Sequence, residues 1–426
     1  MASPNVDAEP HVKGRYFVLT MLIIVYTLNF LDRQILSILA VPIKAEFNIS
    51  DAQLGWLGGI AFGSVYSVLA IPAAWFADRF SRTWIMTGAL AIWSGFTAFC
   101  GMAASFPQLF MARMGVGIGE AGGVAPAYSL ISDYFPAKQR ARALAIYSFG
   151  IPIGSAAGIL FGGLVAKAIN WRFAFIAIGV AGLVIAPLFR FLVKEPTGTA
   201  ADARAAEVDK APGIITVARI AFAKPAFWLL SIGAGCSSLV AYGLMFWLPA
   251  FLTRSLKMDL VATSEFLATI LFFAGITGMA LGGFLADALG KKRKGAYPLI
   301  PACAFLISAP LYVLGVLAKT PHEAFLLFLI PQALGLMWLG PVLTAVQHLG
   351  PPRARSQMSA LFLLINNLIG LGVGPYFFGK VSDLLKPTYG SDSIKYAFIC
   401  GLSFYLLAAV LLLFAVPRMK RDWVEQ

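Results

Sequence analysis

Long apolar stretches, separated by short segments rich in charge, glycine or proline, run along almost the entire chain. About 20 apolar residues are enough for a helix to cross a bilayer, and the chain contains twelve such stretches. They predict an all-α membrane protein with twelve transmembrane helices, numbered helix 1 to helix 12 in chain order. The predicted helices lie near 16–41, 52–77, 84–104, 107–132, 142–167, 172–193, 226–252, 262–286, 296–318, 323–347, 356–381 and 395–417.

The twelve helices divide into two sets of six. The segment between the sets carries a mixed-charge, Ala-rich stretch with too few apolar residues to form a core. The two halves also resemble each other in sequence. The residues around Asp78 after helix 2 are similar to those around Asp287 after helix 8, and the segment that begins at Pro136 is similar to the one that begins at Pro351. We therefore predict two pseudo-symmetric six-helix bundles facing a central cavity. The predicted parts are an N-terminal tail 1–15, a bundle 16–193, a loop 194–225, a bundle 226–417 and a C-terminal tail 418–426.

Composition supports a membrane protein. With 59% hydrophobic and 12% charged residues, the chain cannot form an ordinary soluble fold. The net charge of +13 comes from basic residues that concentrate in the loops on the side of the N-terminus, which predicts cytoplasmic tails, a multi-pass cell (inner) membrane location and no nucleic-acid partner. The first 15 residues are polar and are not expected to form a removable signal peptide. The scattered cysteines predict neither a disulfide nor a metal site, and we expect a monomer without a cofactor.

Ionisable residues lie inside two of the predicted helices. Helix 1 places Asn29, Asp32 and Arg33 on one face, and helix 4 places Arg113 and Glu120 on one stripe. Each ion near the bilayer centre costs about 2.5 to 3.5 kcal/mol, so these groups are expected to face protein or water and to meet at one depth. Two carboxylates beside two guanidinium groups can share one proton. We predict a proton-coupling site, while a purely structural ion-pair cluster remains the alternative.

The two predicted proton-coupling carboxylates are not equivalent. Glu120, whose basic partner is less obvious from the sequence, is the better candidate for the group that gains and loses the proton, with Asp32 as the second. Asn29, Arg33 and Arg113 are predicted to bind substrate or to take part in the conformational switch.

The second half offers apolar side chains to the cavity instead of charges. A cavity that is charged on one wall and apolar on the other suits an amphiphilic, lipid-like substrate. The alternative for any single aromatic residue is an ordinary core or lipid-facing position. The predicted substrate-binding residues in this half are Tyr242, Phe246, Trp247, Trp338 and Asn366.

Charged and glycine-rich segments at helix ends predict moving parts. Acids at the end of one helix, followed by cations before the next, can pair with other helix ends and so form a cytoplasmic gate. Small residues every four positions in helix 5 allow close packing and bending, and packing alone is the alternative reading of a hinge. The predicted gate residues are Asp78, Arg79, Arg82, Gly283, Asp287, Gly290, Lys291 and Lys292, and the predicted hinge residues are Gly150, Pro152, Gly154 and Gly158.

These motifs resemble those of the major facilitator superfamily. The family's GxxxDRxGRR/K motif is matched after helix 8, while the copy after helix 2 has Ala74, Ser81 and Thr83 in place of Gly, Gly and a base. The family's RxxxGxG on helix 4 is matched at Arg113 and the glycines that follow. Within the superfamily, NFLDR, GIGEAGG and ALAIYSFGIPIGSAAG resemble the bacterial branch of the Spinster family.

The resemblance implies alternating access and a lysolipid or sphingolipid type of substrate. It also implies proton coupling through Asp32 and Glu120, with Arg33 aiding the conformational switch. Organic-anion/proton symporters share similar sequences in helices 1 and 4 and are the second possibility. An intramembrane lipid enzyme or a receptor is a distant third, because the three histidines lie in loops or at helix ends and the chain has no HExxH or GxSxG motif.

Overall fold

The computed structural model describes residues 14–77, 79–195, 213–290 and 293–424, and the regular structure of these residues is helical. Ten stretches are long and apolar enough to cross a membrane. The stretch Pro352–Asp422 contains two helices joined at Gly390–Asp392, and residues 106–134 form one more, interrupted at 121–123. The prediction of twelve transmembrane helices is therefore confirmed.

The helices observed in chain order begin and end close to the predicted positions. In five of them a short break, kink or π-helical segment separates two α-helical segments; in Asp51–Ala77 it is Ile60–Ser64. Their bounds are Arg15–Ile38, Asp51–Ala77, Arg82–Met102, Phe106–Glu120 with Val124–Tyr134, Ala137–Ser148 with Gly150–Ala168, Trp171–Leu192, Pro225–Arg254, Leu260–Gly290, Ala296–Leu317, Pro321–Gly335 with Leu339–Gln347, Arg355–Asn367 with Gly374–Tyr389, and Ser393–Asp422.

Local sequence explains several helix starts. The hydroxyl of Ser50 accepts a hydrogen bond from the backbone N–H of Gln53, whose side chain accepts one from the Ser50 N–H in return, a capping box that begins helix 2. Asn170 caps helix 6 by accepting from the Phe173 N–H, and Thr320 caps helix 10. Such side chains satisfy backbone donors that a helix leaves unpaired at its start.

Two π-helical segments interrupt helix 2 and helix 11, at Ile60–Ser64 and Leu368–Val373. They contact each other between the two halves of the chain. Segments of this kind occur often at functional sites, because the wider turn redirects side chains and carbonyl groups. The two halves therefore meet in the middle of the molecule through irregular turns of helices 2 and 11.

The glycines of helix 5 lie against helix 1 within the first bundle. A Cβ atom on Gly154 would be 2.3 Å from the carbonyl oxygen of Thr27, and one on Gly158 would be 2.5 Å from that of Leu31. Only glycine allows two helix backbones to approach this closely. Close packing thus accounts for these glycines, and the hinge role stays a prediction.

The two bundles contact each other mainly through helices 2 and 11, helices 5 and 8, and helices 1 and 7. An even number of crossings places both chain ends on one side of the membrane, which we call the terminal face, and we call the other side the opposite face. In the half nearer the opposite face, a Cβ on Gly55 would lie 2.5 Å from the Pro375 carbonyl oxygen and one on Gly59 would lie 2.6 Å from that of Gly372. The bundles are therefore in backbone contact there.

The segment between the bundles, predicted as a loop, contains a nine-residue helix, Ile214–Phe222. It buries Val217 and Ala221 and contacts helix 7 and the first segment of helix 11. The sequence analysis did not find this helix, because its apolar residues are too few to form a membrane span.

Candidate functional site

Asp32 of helix 1 is buried between helices 3 and 4. Its Oδ1 atom lies 3.5 Å from Nη1 of Arg113, and its Oδ2 atom accepts a hydrogen bond of 2.7 Å from the hydroxyl of Thr97. All three side chains are buried. The structure thus joins a carboxylate and a guanidinium across two helices and adds a hydroxyl donor from a third.

Glu120 is paired with Arg33, the neighbour of Asp32 in helix 1. The Arg33 Nε donates a hydrogen bond of 2.7 Å to Glu120 Oε2, and the two side chains are 10% and 0% exposed. The sequence offered no obvious cation for Glu120, and the structure corrects this. Helices 1 and 4 are therefore joined by two ion pairs, Asp32 with Arg113 and Arg33 with Glu120.

The ring of Phe62, on the π-helical segment of helix 2, lies beside both guanidinium groups. Its centroid is 4.9 Å from the Cζ atom of Arg33 and 5.3 Å from that of Arg113. Cations are attracted to the face of an aromatic ring. A Cβ on Gly117 of helix 4 would lie 2.8 Å from the Phe62 carbonyl oxygen, so this glycine permits the close approach of helix 2 to helix 4.

Asn29, Asp32, Arg33, Arg113 and Glu120 form the charged cluster of the site. Several of its polar atoms are buried and have no hydrogen-bond partner among the described residues. A buried polar atom without a partner costs about 1 to 3 kcal/mol, so such atoms point to a place where a proton, water or ligand is exchanged. They are Asn29 Oδ1, Asp32 Oδ1, Arg113 Nε and Nη1, and Glu120 Oε1.

A cavity of about 50 Å³ lies between the bundles next to this cluster. This volume holds a few water molecules and is much smaller than a pocket for a whole drug-sized ligand. One wall is polar and contains both arginines of the cluster, and the other wall is mainly apolar. The lining residues are Phe30, Arg33, Gln34, Ser37, Gly58, Phe62 and Arg113 from the first bundle, and Tyr242, Met245, Phe246, Leu371 and Pro375 from the second.

Four of the residues predicted to bind substrate or to take part in the switch lie outside this cavity lining: Asn29 of helix 1 and three residues of the second bundle. The buried Trp247 donates its indole N–H to the carbonyl oxygen of Pro375 over 2.8 Å. Trp338 packs against Phe362, with ring centroids 6.2 Å apart. Asn366 accepts a hydrogen bond of 2.9 Å from the Ser238 hydroxyl. These side chains connect helices within the second bundle, whereas Tyr242 and Phe246 do reach the cavity.

A second network joins the bundles at the opposite face, and it is centred on Asp51 at the start of helix 2. Arg254 of helix 7 donates to both oxygens of Asp51, over 3.0 and 2.9 Å, and Lys44 and Ser382 also bind this carboxylate. Asp383 of helix 11 accepts hydrogen bonds of 3.1 and 2.8 Å from the first two backbone N–H groups of helix 2. The two halves are therefore held together on this side by charged groups as well as by packing.

The structure describes five of the eight predicted gate residues. Asp78, Lys291 and Lys292 lie outside the described residues. Arg79 is exposed, with its guanidinium carbon 4.1 Å from the ring centroid of Trp75.

In the second copy of the predicted gate, the first glycine, Gly283, has open space beside it. A Cβ on Gly283 would meet no atom within 4 Å, whereas one on Gly290 would lie 2.5 Å from the ring of Tyr297. Asp287 is exposed and forms no ion pair with another described residue.

Arg82 is buried at the terminal face and binds two carboxylates. It pairs with Asp133 of helix 4 and donates a hydrogen bond of 2.6 Å to Glu195 after helix 6. Burial alone would raise the pKa of Glu195, but the backbone N–H of Thr83 and the guanidinium of Arg82 hold that pKa below its usual range. Arg82 therefore joins three helix ends of one bundle.

The chain matches a known protein family over most of its length. Residues 22–375 match the family description "Major Facilitator Superfamily". The chain therefore belongs to this superfamily, and it is a multi-pass membrane transporter rather than an enzyme.

Individual relatives narrow this class. An "MFS-type efflux pump" of Mycolicibacterium smegmatis is 33% identical over 410 residues, covering 95% of this chain and 94% of that protein. "Protein spinster homolog 1" of Homo sapiens is 30% identical over 387 residues, covering 87% of this chain and 73% of that protein. A crystal structure described as a bacterial homologue of the human lysosomal transporter Spinster, inward-facing and unoccupied, has a TM-score of 0.86 and 29% identity, covering 98% and 99% of the two chains. The chain is thus a Spinster-like transporter, and the resemblance found in its motifs is confirmed.

The sequence analysis missed several residues of the site. Thr97 binds Asp32, and Gln34 and Ser37 line the cavity. All three are ordinary polar residues in apolar helices, and no spacing rule marks them as site residues. Asp51 was missed as well, although its place just after a serine at a helix start is a capping signal. Its partner Arg254 is 203 residues away in sequence, which no local pattern connects.

Proposed function

We propose that this chain is a proton-coupled secondary transporter that moves an amphiphilic, lipid-like molecule of lysolipid or sphingolipid type by alternating access. The observation that carries the proposal is the pair of buried ion pairs, Asp32 with Arg113 and Arg33 with Glu120, next to the cavity between the bundles. Buried ionisable groups in a membrane span are costly and are usually retained for function. Glu120 and Asp32 are the proposed sites of proton exchange.

Protonation of Glu120 would cancel its charge and weaken the hydrogen-bonded pair with Arg33. Arg33 lines the cavity and is surrounded by the rings of Phe30, Phe62 and Tyr66, so it can turn towards a polar substrate group without entering lipid. The Glu120 carboxylate and the substrate then compete for the same guanidinium group, and protonation of Glu120 leaves that group free for the substrate. This competition supplies the differential binding that coupling requires.

The apolar wall supports the choice of substrate class. Tyr242, Met245 and Phe246 of helix 7 face the two arginines across the cavity. A head group would bind the arginines while an apolar tail contacts the second bundle. Because the cavity is only about 50 Å³, the bundles must separate further before such a molecule enters. The resemblance of the motifs to the Spinster family implies the same substrate class.

We further propose that the terminal face is cytoplasmic, as the concentration of basic residues on that side suggests, and that the membrane is the cell (inner) membrane. The Asp51 network then lies on the outer side, and the conformation described here is closed outward. Asp287, exposed on the terminal face, would pair with its partners only when that side closes.

The test is Glu120→Gln in proteoliposomes with a radiolabelled lysophospholipid and an imposed pH gradient. We expect the response of transport to the gradient to be lost while binding of the lysophospholipid persists, because the amide cannot release a proton. Glu265→Gln, a change of an exposed carboxylate on helix 8, serves as the control and is expected to keep the response. Unchanged gradient dependence in Glu120→Gln refutes the proton assignment.

A proton-coupled organic-anion symporter is the second candidate. The observation in its favour is that Arg113 lines the cavity while its Nε atom has no hydrogen-bond partner among the described residues, which suits a carboxylate. Thermal stabilisation of the purified protein by lysophospholipids, sphingoid lipids or small organic acids separates the two candidates, because a bound ligand raises the melting temperature. Stabilisation by organic acids alone would select the symporter.

A further inference from the structure

The short helix Ile214–Phe222 presents a mixed surface on the side that faces away from the protein. Ile215, Arg219 and Phe222 are spaced i, i+4 and i+7 and so lie on one face. Ile215 is 77% and Phe222 is 44% exposed, and Arg219 is exposed between them. The other face is fixed to the protein through the buried Val217 and Ala221.

This surface does not suit water alone or acyl chains alone. Two large apolar side chains in water are unfavourable, while a cation in the hydrocarbon interior is costly. A helix with both on one face is typical of the boundary between head groups and acyl chains, where apolar residues enter the lipid and a long basic side chain reaches back to the phosphates.

The surface is continuous with the lipid-facing side of helix 7. The rings of Phe222 and Trp228 are 4.9 Å apart, and the indole N–H of Trp228 donates to the carbonyl oxygen of Phe222 over 3.1 Å. Trp228 and Ile232 are exposed along helix 7. Tryptophan is enriched at membrane interfaces, so Trp228 marks the head-group level, and the short helix lies at that level.

Basic residues lie close to the short helix. Lys224 binds the backbone carbonyl of Asp422 at the end of helix 12 over 2.7 Å, which brings the last turn of that helix close to the short helix. Lys420 and Arg421 in this turn are exposed. Arg421 also pairs with Asp422, but its side chain stays 70% exposed. Basic residues near a bilayer surface attract anionic lipids.

We propose that this surface is a docking site for anionic phospholipid, in which Ile215 and Phe222 enter the acyl boundary and Arg219 binds the lipid phosphate. The short helix contacts the first segment of helix 11, and helix 11 contacts helix 2 of the other bundle. The lipid would therefore hold in place one end of a helix of the second bundle that packs against the first bundle. The inference does not depend on the transported substrate or on proton coupling.

The experiment uses the full chain with its native cysteines replaced and one spin label at Ile215→Cys. Because Ile215 is largely exposed, the label leaves the packing intact. The protein is placed in nanodiscs of phosphatidylcholine, with or without 30% phosphatidylglycerol, and the label's accessibility to oxygen and to an aqueous nickel complex is measured. A second label at Phe222→Cys repeats the measurement.

We expect both labels to be more accessible to oxygen than to nickel, and phosphatidylglycerol to increase the ratio of embedded to aqueous label. Adding Arg219→Gln should lower this increase about fivefold, which corresponds to about 1 kcal/mol for one basic residue at the surface. Arg172→Gln, which changes a partly buried arginine at the opposite face, is the control and should have no effect.

Three results overturn the proposal. Preferential access of nickel places the surface in water, and a label shielded from both reagents shows that protein covers it. If phosphatidylglycerol has the same effect on the label in Arg219→Gln as in the unchanged protein, Arg219 does not bind the lipid.

Discussion

Arg254 provides the sharpest test of how the two bundles are held at the opposite face. Its guanidinium makes two hydrogen bonds, of 2.9 and 3.0 Å, to the buried carboxylate of Asp51 in the other bundle. Replacing Arg254 with Gln removes this link but leaves Asp51 bound to Lys44 and Ser382. We therefore expect the form that is closed at the opposite face to lose stability relative to the open form.

The geometry of the pair gives the size of the expected loss of stability of the closed form. A hydrogen bond to a charged group contributes about 1.5 to 3 kcal/mol, and Arg254 is only 18% exposed, so solvent screens the pair weakly. In the open form the arginine is hydrated instead. A net loss of about 2 to 3 kcal/mol changes the ratio of the two forms about 30- to 150-fold, and an open form populated at about 1% would rise to about a fifth or more.

The assay is a distance measurement between spin labels at Ala104 and Lys257, two exposed positions in loops of different bundles at the opposite face. The exposed Cys303 and Cys400 must be replaced first. The longer distance should gain population in Arg254→Gln.

The matched control for this measurement is Arg172→Gln. Arg172 pairs with Glu46 over 2.9 Å at the same face but within one bundle, so its removal should leave the distance distribution unchanged. An unshifted distribution in Arg254→Gln, or an equal shift in both variants, would refute the view that the cross-bundle pair stabilises the closed form.

Two further pairs of variants test the packing and the site. Gly59→Ala puts a methyl group 2.6 Å from the Gly372 carbonyl oxygen, and since overpacking costs about 1 to 3 kcal/mol, the same distance assay should show more of the open form. Gly88→Ala, with no atom within 4 Å, should not. Thr97→Val removes the buried donor to Asp32 at a cost of about 1 to 3 kcal/mol, which should lower the melting temperature, whereas Thr97→Ser should restore it. An unchanged melting temperature in Thr97→Val would show that the hydroxyl does not stabilise the carboxylate.

Much of the architecture was predictable because lipid restricts the choices. A backbone in hydrocarbon must satisfy its own hydrogen bonds, so each long apolar stretch becomes a helix. The same cost explains why Asp32 and Glu120, placed in such stretches, are found buried in the protein. Hydropathy did not show that helix 4 is interrupted at 121–123 or that only the short turn Gly390–Asp392 separates helices 11 and 12.

The sequence by itself therefore determined the class of protein, the twelve helices and which charged residues must avoid lipid. The tertiary structure decided that Arg33 pairs with Glu120, that Thr97 binds Asp32 and that Asp51 meets Arg254. Such partners depend on how far each helix is rotated and shifted against its neighbours. Rotation and shift are set by contacts such as Gly117 against Phe62, between residues far apart in sequence, and no periodicity within a single helix encodes them.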